Sequence, residues 1–154
     1  MDIVIERYQG DHRDLEWSFR EAEDSRELLD GYIDLGSVWV ARSHGAVVGH
    51  LQAVPRDEQT WEITNTAVVE SHRGRGVGRA LLERAGDEAG AAGVRRLVVA
   101  TATADIGNLR FYQRAGFRMT RVVPDVFTPA NGYPAGLEVD GVPLLDQVWF
   151  ERVL

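Results

Sequence analysis

The segment from Val68 to Arg79 carries the most specific chemistry in the sequence. It reads Val-Val-Glu-Ser-His-Arg-Gly-Arg-Gly-Val-Gly-Arg, with three glycines and three arginines in its last seven residues. Glycine lets a backbone turn tightly and approach a ligand, and the first amides of a following helix point outward without partners. Such a turn, with arginines beside it, is typical of a pyrophosphate site. A flexible connection with solvated arginines is the alternative.

Two common nucleotide-binding motifs do not fit this turn. A P-loop ends in Gly-Lys-Ser or Gly-Lys-Thr, but the chain has no lysine and its 17 lysine-plus-arginine positions are all arginine. A dinucleotide-binding turn requires a third glycine where Arg79 stands. The absence of lysine also excludes a Schiff-base enzyme. The absence of cysteine excludes a thiolate nucleophile and any Cys-ligated metal site.

Two motifs together resemble the GNAT superfamily of N-acetyltransferases. The first, Arg73-Gly74-Arg75-Gly76-Val77-Gly78, is similar to the family signature Gln/Arg-x-x-Gly-x-Gly/Ala, whose turn holds the pyrophosphate of coenzyme A. The second, Phe111-Tyr112-Gln113-Arg114-Ala115-Gly116-Phe117, is similar to the family element Phe-Tyr-x-x-x-Gly-Phe, a helix and a strand further on. Element order agrees along residues 2–123. The resemblance implies an acyl-CoA acyltransferase fold with acetyl-CoA as co-substrate and no metal.

The resemblance also assigns residues to coenzyme A. It places the backbone amide near Val68 at the thioester oxygen, and it gives the phosphates to Arg73, Gly74, Arg75, Gly76, Val77, Gly78 and Arg79. The family often has an asparagine six residues before the phenylalanine of Phe-Tyr, in contact with the pantetheine arm. Here Asp105 stands at that position and Asn108 follows three residues later. The role is open between the two, with Asn108 as the candidate.

Two side chains are candidates for proton transfer. Tyr112 matches the tyrosine that the family uses as general acid toward the departing thiolate, and core packing is its alternative. Glu62 lies on the polar face of a predicted central strand, eleven residues before Arg73, at the offset of the catalytic glutamate in the histone-modifying branch. A carboxylate on such a strand needs a function or a partner. A solvent-facing glutamate, or one paired with an arginine, is the alternative.

These assignments predict direct transfer of an acetyl group from acetyl-CoA to the primary amine of a small molecule in a ternary complex. Transfer to a protein or peptide amine, and an inactive acyl-CoA-binding sensor, are the alternatives. Residues 11–34 contain nine acidic side chains and three arginines, a net charge of −6. This charge favours a cationic amine, a solvated helix face being the alternative. By resemblance, several aromatic side chains border the acceptor, and each is also explained by packing: Trp17, Phe19, Tyr32, Phe127 and Tyr133.

Hydrophobic spacing predicts the elements that position these residues. Strands are expected over 3–5, 37–41, 46–54, 60–69, 96–101, 118–123 and 144–153. Helices are expected over 11–22, over 77–93 and over 105–115. A further short helix is expected to begin at a capping box formed by Asp24 and Glu27. In the 60–69 strand, Trp61, Ile63, Ala67 and Val69 are expected on one face and Glu62, Thr64, Thr66 and Val68 on the other. The predicted fold class is α/β (α+β), with one mixed, mostly antiparallel sheet flanked by helices.

Length and composition add broader expectations. The 154 residues, 44% of them hydrophobic, predict one domain over 1–154. The net charge of −7 argues against nucleic acid as a partner. The sequence has no charged leader before an apolar stretch and no apolar run near the ~20 residues of a membrane span. A cytoplasmic protein without a membrane partner is expected, from a bacterium with a GC-rich genome. The oligomeric state, monomer or homodimer, is open.

Overall fold

A seven-stranded mixed sheet forms the centre of the protein, in a computed structural model that describes residues 2–154, all of the chain except Met1. The strands are β1 (Ile3–Arg7), β2 (Ser37–Ser43), β3 (Ala46–Asp57), β4 (Thr60–Val68), β5 (Arg96–Ala102), β6 (Arg118–Val123), β7 (Glu138–Val139), β8 (Val142–Pro143) and β9 (Gln147–Val153). The sheet order is β1-β2-β3-β4-β5-β9-β6, and its strand pairs are antiparallel except for the parallel pair β4–β5. The predicted fold class is confirmed.

Four α-helices flank the sheet, namely α1 (Glu16–Phe19), α2 (Arg26–Tyr32), α3 (Val77–Ala91) and α4 (Ile106–Arg114). The predicted stop of α3 at Gly93 and the Asp105 cap of α4 are confirmed, because Gly93 has a φ of +86° and Asp105 accepts a hydrogen bond from the Asn108 amide. The predicted helix 11–22 is wrong in extent. A 3-10 turn over His12–Leu15 leads into the single turn of α1, and the Phe19 carbonyl then accepts from the buried Asn65 amide.

The cap of α2 also differs from the prediction. The Ser25 side chain, one residue after Asp24, accepts a hydrogen bond from the Leu28 amide. Ser25 has an extended backbone, as an N-cap residue requires. The predicted Asp24–Glu27 capping box is therefore wrong, because Ser25 caps the helix alone and Leu28 has no polar side chain to bond back. The predicted helix itself is present.

Two apolar clusters lie on opposite faces of the sheet. The larger cluster packs α3 and α4 on the sheet through residues such as Trp39, Leu81 and Phe150. The smaller one packs α1 and α2 on the other face through residues such as Phe19, Leu29 and Val40. Because both faces are covered, β2 and β3 are buried along most of their lengths.

A bulge in β4 reverses the face of the sheet on which the side chains of its second half lie. Gln52 of β3 pairs with Asn65 and the next residue, Ala53, pairs with Ile63, so Thr64 is the extra residue. Val68 consequently packs on the same cluster as Ile63, whereas strict alternation predicts opposite faces. Ala67 lies on the other side, beside Trp17 and Ser18. The predicted alternation is correct before the bulge and wrong after it for Ala67 and Val68, whereas Val69, beyond the end of β4, packs on the cluster of Ile63 as predicted.

The neighbouring strands β4 and β5 separate at the same place. Their parallel pairing runs only from Thr60 to Ile63 of β4, opposite Arg96 to Val99 of β5. Beyond it, the edge of β4 that faces β5 has no strand partner among residues 2–154. This separation opens the sheet into a cleft.

The long connection 124–143 covers one side of this cleft. It contains a 3-10 turn (Pro129–Asn131) and the hairpin β7–β8, whose turn residues Asp140 and Gly141 have φ values of +49° and +82°. The strand that follows begins at Gln147, three residues later than predicted, since Leu144 pairs with Leu137 at the base of the hairpin.

Candidate functional site

The cleft between β4 and β5 has a volume of about 1210 Å³. The free part of β4 and the end of β5 form its floor. The glycine–arginine turn and α4 form one wall, and the α1–α2 loop with the 124–143 connection forms the other. Elements that are distant in sequence thus meet at one site.

The glycine–arginine turn presents a row of free amides to the cleft. Within residues 2–154, the six amides of residues 74 to 79 have no hydrogen-bond acceptor, and the first helical bond of α3 is from the Ala80 amide to the Gly76 carbonyl. Gly74 and Gly76 have φ values of +73° and +83°, which favour glycine. A Cβ at Gly76 would meet no atom of residues 2–154 within 4 Å, so this surface is open to a ligand. An anion fits a row of amides at a helix N-terminus.

Most of the residues that the sequence assigns to coenzyme A line this cleft: Val68, Arg73, Gly74, Gly76, Gly78, Arg79 and Asn108. Arg75 is exposed and its side chain lies outside the lining. Val77 is 2% exposed with its side chain in the core, so only its amide is available. Arg79 is held by Glu83 and by the Arg114 carbonyl.

Packing explains two further positions in the turn. A Cβ at Gly78 would lie 3.4 Å from the Phe111 ring, so glycine lets α3 approach α4 closely. The Arg73 guanidinium donates a 2.9 Å hydrogen bond to the Val68 carbonyl and ties the turn to the end of β4. These contacts set the direction in which the amides point.

The free edge of β4 supplies a further donor. The Val69 amide bonds the Val48 carbonyl of β3, and the preceding residue Val68 pairs with Gly49. In an antiparallel pair, bonded and non-bonded positions alternate. The Val68 amide therefore points away from β3, into the space that β5 has left.

Tyr112 of α4 has its ring in the core and lines the cleft. The side chain is 3% exposed, and its ring packs edge-on against Phe111 and Phe117 and tilted against Phe150. Burial raises the pKa of the Tyr112 phenol, and the negative charge of Asp105 adds to the effect. Tyr112 thus stays protonated at neutral pH and can act as a proton donor.

Asp105 and Asn108 both line the cleft but make different contacts. Asp105 caps α4 with a 2.9 Å bond from the Asn108 amide. The Asn108 side chain donates a 3.1 Å bond to the Thr101 hydroxyl at the end of β5, and its carbonyl oxygen is free of hydrogen bonds within residues 2–154. The cap gives Asp105 a local structural function through Oδ1, whereas the Asn108 carbonyl oxygen has no such function and is available to a ligand.

Glu62 lines the cleft where β4 and β5 are still paired. Its carboxylate accepts a 2.8 Å hydrogen bond from the Arg56 guanidinium, and the Glu62 side chain is 19% exposed. The arrangement matches the arginine-paired alternative.

A buried hydrogen-bonded chain reaches the cleft from the opposite wall. It connects side chains of α1, β3, β4, α2 and the α1–α2 loop, and it consists of Ser18, His50, Asn65, Tyr32 and Glu23. Burial lowers the pKa of His50 to about 4, so this histidine is neutral. Sequence reasoning does not single out Glu23. The available signal was Asn65, a polar residue in a strand that has apolar neighbours on both faces.

The aromatic candidates divide between the cleft and the core. Tyr32, Phe127 and Tyr133 line the cleft, and the last two pack edge-to-face with ring centroids 5.1 Å apart. Phe19 is fully buried and stacks on His50, and Trp17 is 49% exposed outside this lining. Trp149, which sequence analysis does not select, also lines the cleft.

Metal-binding clusters and membrane-spanning helices are both absent from residues 2–154. No group of three or more His, Asp or Glu side chains is arranged to hold a metal ion in this part of the chain. No helix there is long and apolar enough to cross a membrane.

Known proteins resemble this chain in sequence and in fold. The model of the acetyltransferase (GNAT) family matches residues 4–117. The uncharacterized N-acetyltransferase YvbK of Bacillus subtilis (strain 168) is 28% identical over 127 residues, which are 82% of this chain and 81% of the relative. A GNAT family acetyltransferase from Elizabethkingia anophelis, solved with acetyl-CoA bound, has a TM-score of 0.90 at 27% identity and covers 99% of both chains.

A second solved structure gives the same result. An acetyltransferase of Bacillus subtilis in complex with CoA has a TM-score of 0.89 at 26% identity, again over 99% of both chains. The family model spans most of the chain, and the structural matches extend over nearly all of it. The chain belongs to the acetyltransferase (GNAT) family.

Proposed function

We propose that this acetyltransferase transfers an acetyl group from acetyl-CoA to a primary amine of a small molecule. The amine attacks the thioester directly in a ternary complex. The observation that carries the proposal is the row of free amides at residues 74–79, which opens into a cleft lined by Tyr112. Because acetyl-CoA is a metabolite of the cell interior, we place the reaction in the cytoplasm. The similarity to Bacillus proteins supports a bacterial origin.

The residues present fit coenzyme A. The free amides and the dipole of α3 would bind the pyrophosphate, with Arg73 and Arg79 near it. The unpaired edge of β4 would bind the amides of the pantetheine arm in the manner of an added strand. Asn108 lies at the end of β5 with a free side-chain oxygen that would accept from the same arm. Bound acetyl-CoA supplies the acetyl group as a thioester.

Two groups of the chain act on the reacting thioester. The Val68 amide, which points into the cleft, would donate a hydrogen bond to the carbonyl oxygen as it gains charge. Tyr112, kept protonated by burial, would give its proton to the departing thiolate. A thiol with a pKa near 8.5 leaves readily even without help. Holding the two substrates together therefore contributes more to the rate than Tyr112 does.

The acceptor must lose a proton before it attacks. An alkyl ammonium with a pKa of about 10.4 costs roughly 4.6 kcal/mol to deprotonate at pH 7. Glu62 is the candidate base from the sequence. It lies four residues before Thr66, about 13 Å along the strand from the end of β4 where the thioester would bind, so it would act through water. In the structure, the Glu62 carboxylate is paired with the Arg56 guanidinium. The proposed function requires a proton acceptor but does not depend on Glu62.

A panel of acceptors tests the proposal. The purified chain is incubated with acetyl-CoA and primary amines of different charge, and both CoA release and the N-acetylated product are measured. We expect at least one cationic amine to be acetylated. Acetylation of peptides alone would favour a peptide N-acetyltransferase. Tight acetyl-CoA binding without transfer to any amine would favour a sensor and overturn the proposal.

A further inference from the structure

We propose that Glu23, in the loop between α1 and α2, is the carboxylate that binds the amino group of the acceptor and takes its proton. In this proposal, Tyr32, Asn65, His50 and Ser18 are positioning residues that hold Glu23 in place through a buried hydrogen-bonded chain. The inference rests on the proposed function and adds the residue that receives the substrate.

The hydrogen bonds of this buried hydrogen-bonded chain all run in one direction, from Ser18 to Glu23. The Asn65 side-chain nitrogen donates to the Phe19 carbonyl and to the Tyr32 hydroxyl, both at 3.0 Å. The Asn65 oxygen therefore faces His50 Nε2, which donates to it at 2.7 Å. His50 Nδ1 is left to accept from the Ser18 hydroxyl at 2.6 Å.

The chain ends on Glu23. The Tyr32 hydroxyl already accepts from Asn65, so its own proton is available for Glu23 Oε1, 3.2 Å away. The other carboxylate oxygen accepts from the Ser25 amide at 3.2 Å. Because His50 and Asn65 are 0% and 4% exposed, the path that fixes Glu23 is shielded from solvent. A carboxylate held this way keeps one position in the cleft.

The charge of Glu23 has no cationic partner among residues 2–154, although the side chain is half-buried and lines the cleft. Glu62, in the same cleft, is paired with Arg56. A partly buried carboxylate without a counter-charge is costly unless a ligand supplies the charge. An ammonium group is a ligand of the required sign with three hydrogen-bond donors.

The surroundings of Glu23 also suit a base. Burial raises the pKa of the Glu23 carboxyl above its ordinary range, and the neighbouring charge of Asp24 adds to the effect. The titratable groups that face it are Asp24 beside it, Tyr32 from α2 and Tyr133 from the 124–143 connection. A carboxylate with a raised pKa accepts a proton from an amine more readily.

The proton and bond changes balance. Glu23 takes one proton from the ammonium, and the neutral nitrogen attacks the thioester carbon, so that a C–N bond forms and the C–S bond breaks. Tyr112 protonates the departing sulfur and recovers a proton from the acetylated nitrogen. Glu23 then releases its proton to water, and one proton leaves for each amide formed.

A matched pair of variants tests the proposal, with Glu23→Gln as the test and Glu27→Gln, an exposed carboxylate of α2 outside the cleft lining, as the control. We expect Glu23→Gln to lower kcat/KM for the best amine by about 10²-fold or more, to abolish the acidic limb of its pH profile, and to leave the Kd of acetyl-CoA unchanged. Glu27→Gln should change kcat/KM less than about two-fold. The Tm of Glu23→Gln should not fall, since the buried ionised carboxylate opposes folding at neutral pH.

Tyr32→Phe tests the buried hydrogen-bonded chain separately. Removing the Tyr32 hydroxyl takes away a donor to the ionised carboxylate, which raises the pKa of Glu23. The acidic limb should therefore move to higher pH while Glu23 itself remains. If the wild type acetylates an amine and Glu23→Gln has the same kcat/KM and pH profile, this proposal is overturned while the proposed function stands. A wild type that acetylates no amine would overturn the proposed function and this inference with it.

Discussion

Tyr112 combines a structural and a chemical function in one side chain. Its ring packs against three other aromatic rings, while its hydroxyl makes no hydrogen bond within residues 2–154 and is not among the buried polar atoms left without a partner. The packing of the ring therefore fixes the position of the hydroxyl and leaves its hydrogen-bonding capacity free. A proton donor held like this costs little reorganisation during the reaction.

The variant Tyr112→Phe separates the two functions. The ring stays in place, so the free energy of unfolding should change by less than about 1 kcal/mol. The loss of the proton donor should lower kcat by about 10²-fold, without weakening acetyl-CoA binding. Steady-state kinetics and thermal unfolding of the same preparation check both parts. An unchanged kcat would remove Tyr112 from the reaction.

At the residue scale, sequence reasoning predicted groups that local motifs specify. Most of the turn residues, together with Tyr112, line the cleft because short motifs fix them on adjacent elements. Glu23 was not singled out, since its place depends on Tyr32 and Asn65, which are distant in the sequence. The partner of Glu62 likewise depends on how β3 and β4 pair, which brings Arg56 beside it.

At the scale of elements, the bulge and early separation of β4 create the site. Thr64 interrupts the pairing with β3, and immediately before it the pairing with β5 ends. Elements with local signals, such as the caps of α3 and α4, were predicted correctly. The bulge was not, because it depends on the register between two strands rather than on the composition of one.

The buried chain joins four elements and makes folding sensitive to acid. The pKa of His50 is lowered to about 4, from an ordinary value near 6.5. Below pH 6.5 the unfolded protein therefore binds a proton that the folded protein does not bind. The stabilisation is complete above pH 6.5 and is lost as the pH falls toward 4, a difference of about 3 kcal/mol. Urea unfolding from pH 7 to pH 4 should show a shallower decline for His50→Gln than for the wild type. Equal declines would contradict this prediction.

At the scale of the whole molecule, the negative charge is unevenly placed around the cleft. Glu21, Glu23 and Asp24 line it, whereas Asp30 and Asp34 form ion pairs with Arg13 away from it. The acidic segment therefore faces the acceptor with only part of its charge. On the opposite wall, Arg73 and Arg79 lie beside the free amides.

This distribution predicts how salt affects the reaction. A cationic acceptor is attracted by the acidic wall, and the attraction is screened over about 10 Å at 0.1 M ionic strength. With acetyl-CoA saturating, kcat/KM should fall with added salt, and more steeply for a doubly charged amine than for a singly charged one of similar shape. Identical slopes for the two amines would contradict electrostatic attraction.

Binding of acetyl-CoA to the turn at residues 74–79 is the central claim, and titration calorimetry on two matched variants tests it most directly. Gly76 and Gly93 stand before and after α3 with similar φ values, +83° and +86°, and a Cβ at either would meet open space. Aspartate therefore introduces comparable backbone strain at both. Gly76→Asp should weaken acetyl-CoA binding by about 10²-fold, because it places a carboxylate among the phosphate-binding amides, while Gly93→Asp should bind like the wild type. Wild-type affinity in Gly76→Asp would contradict the account.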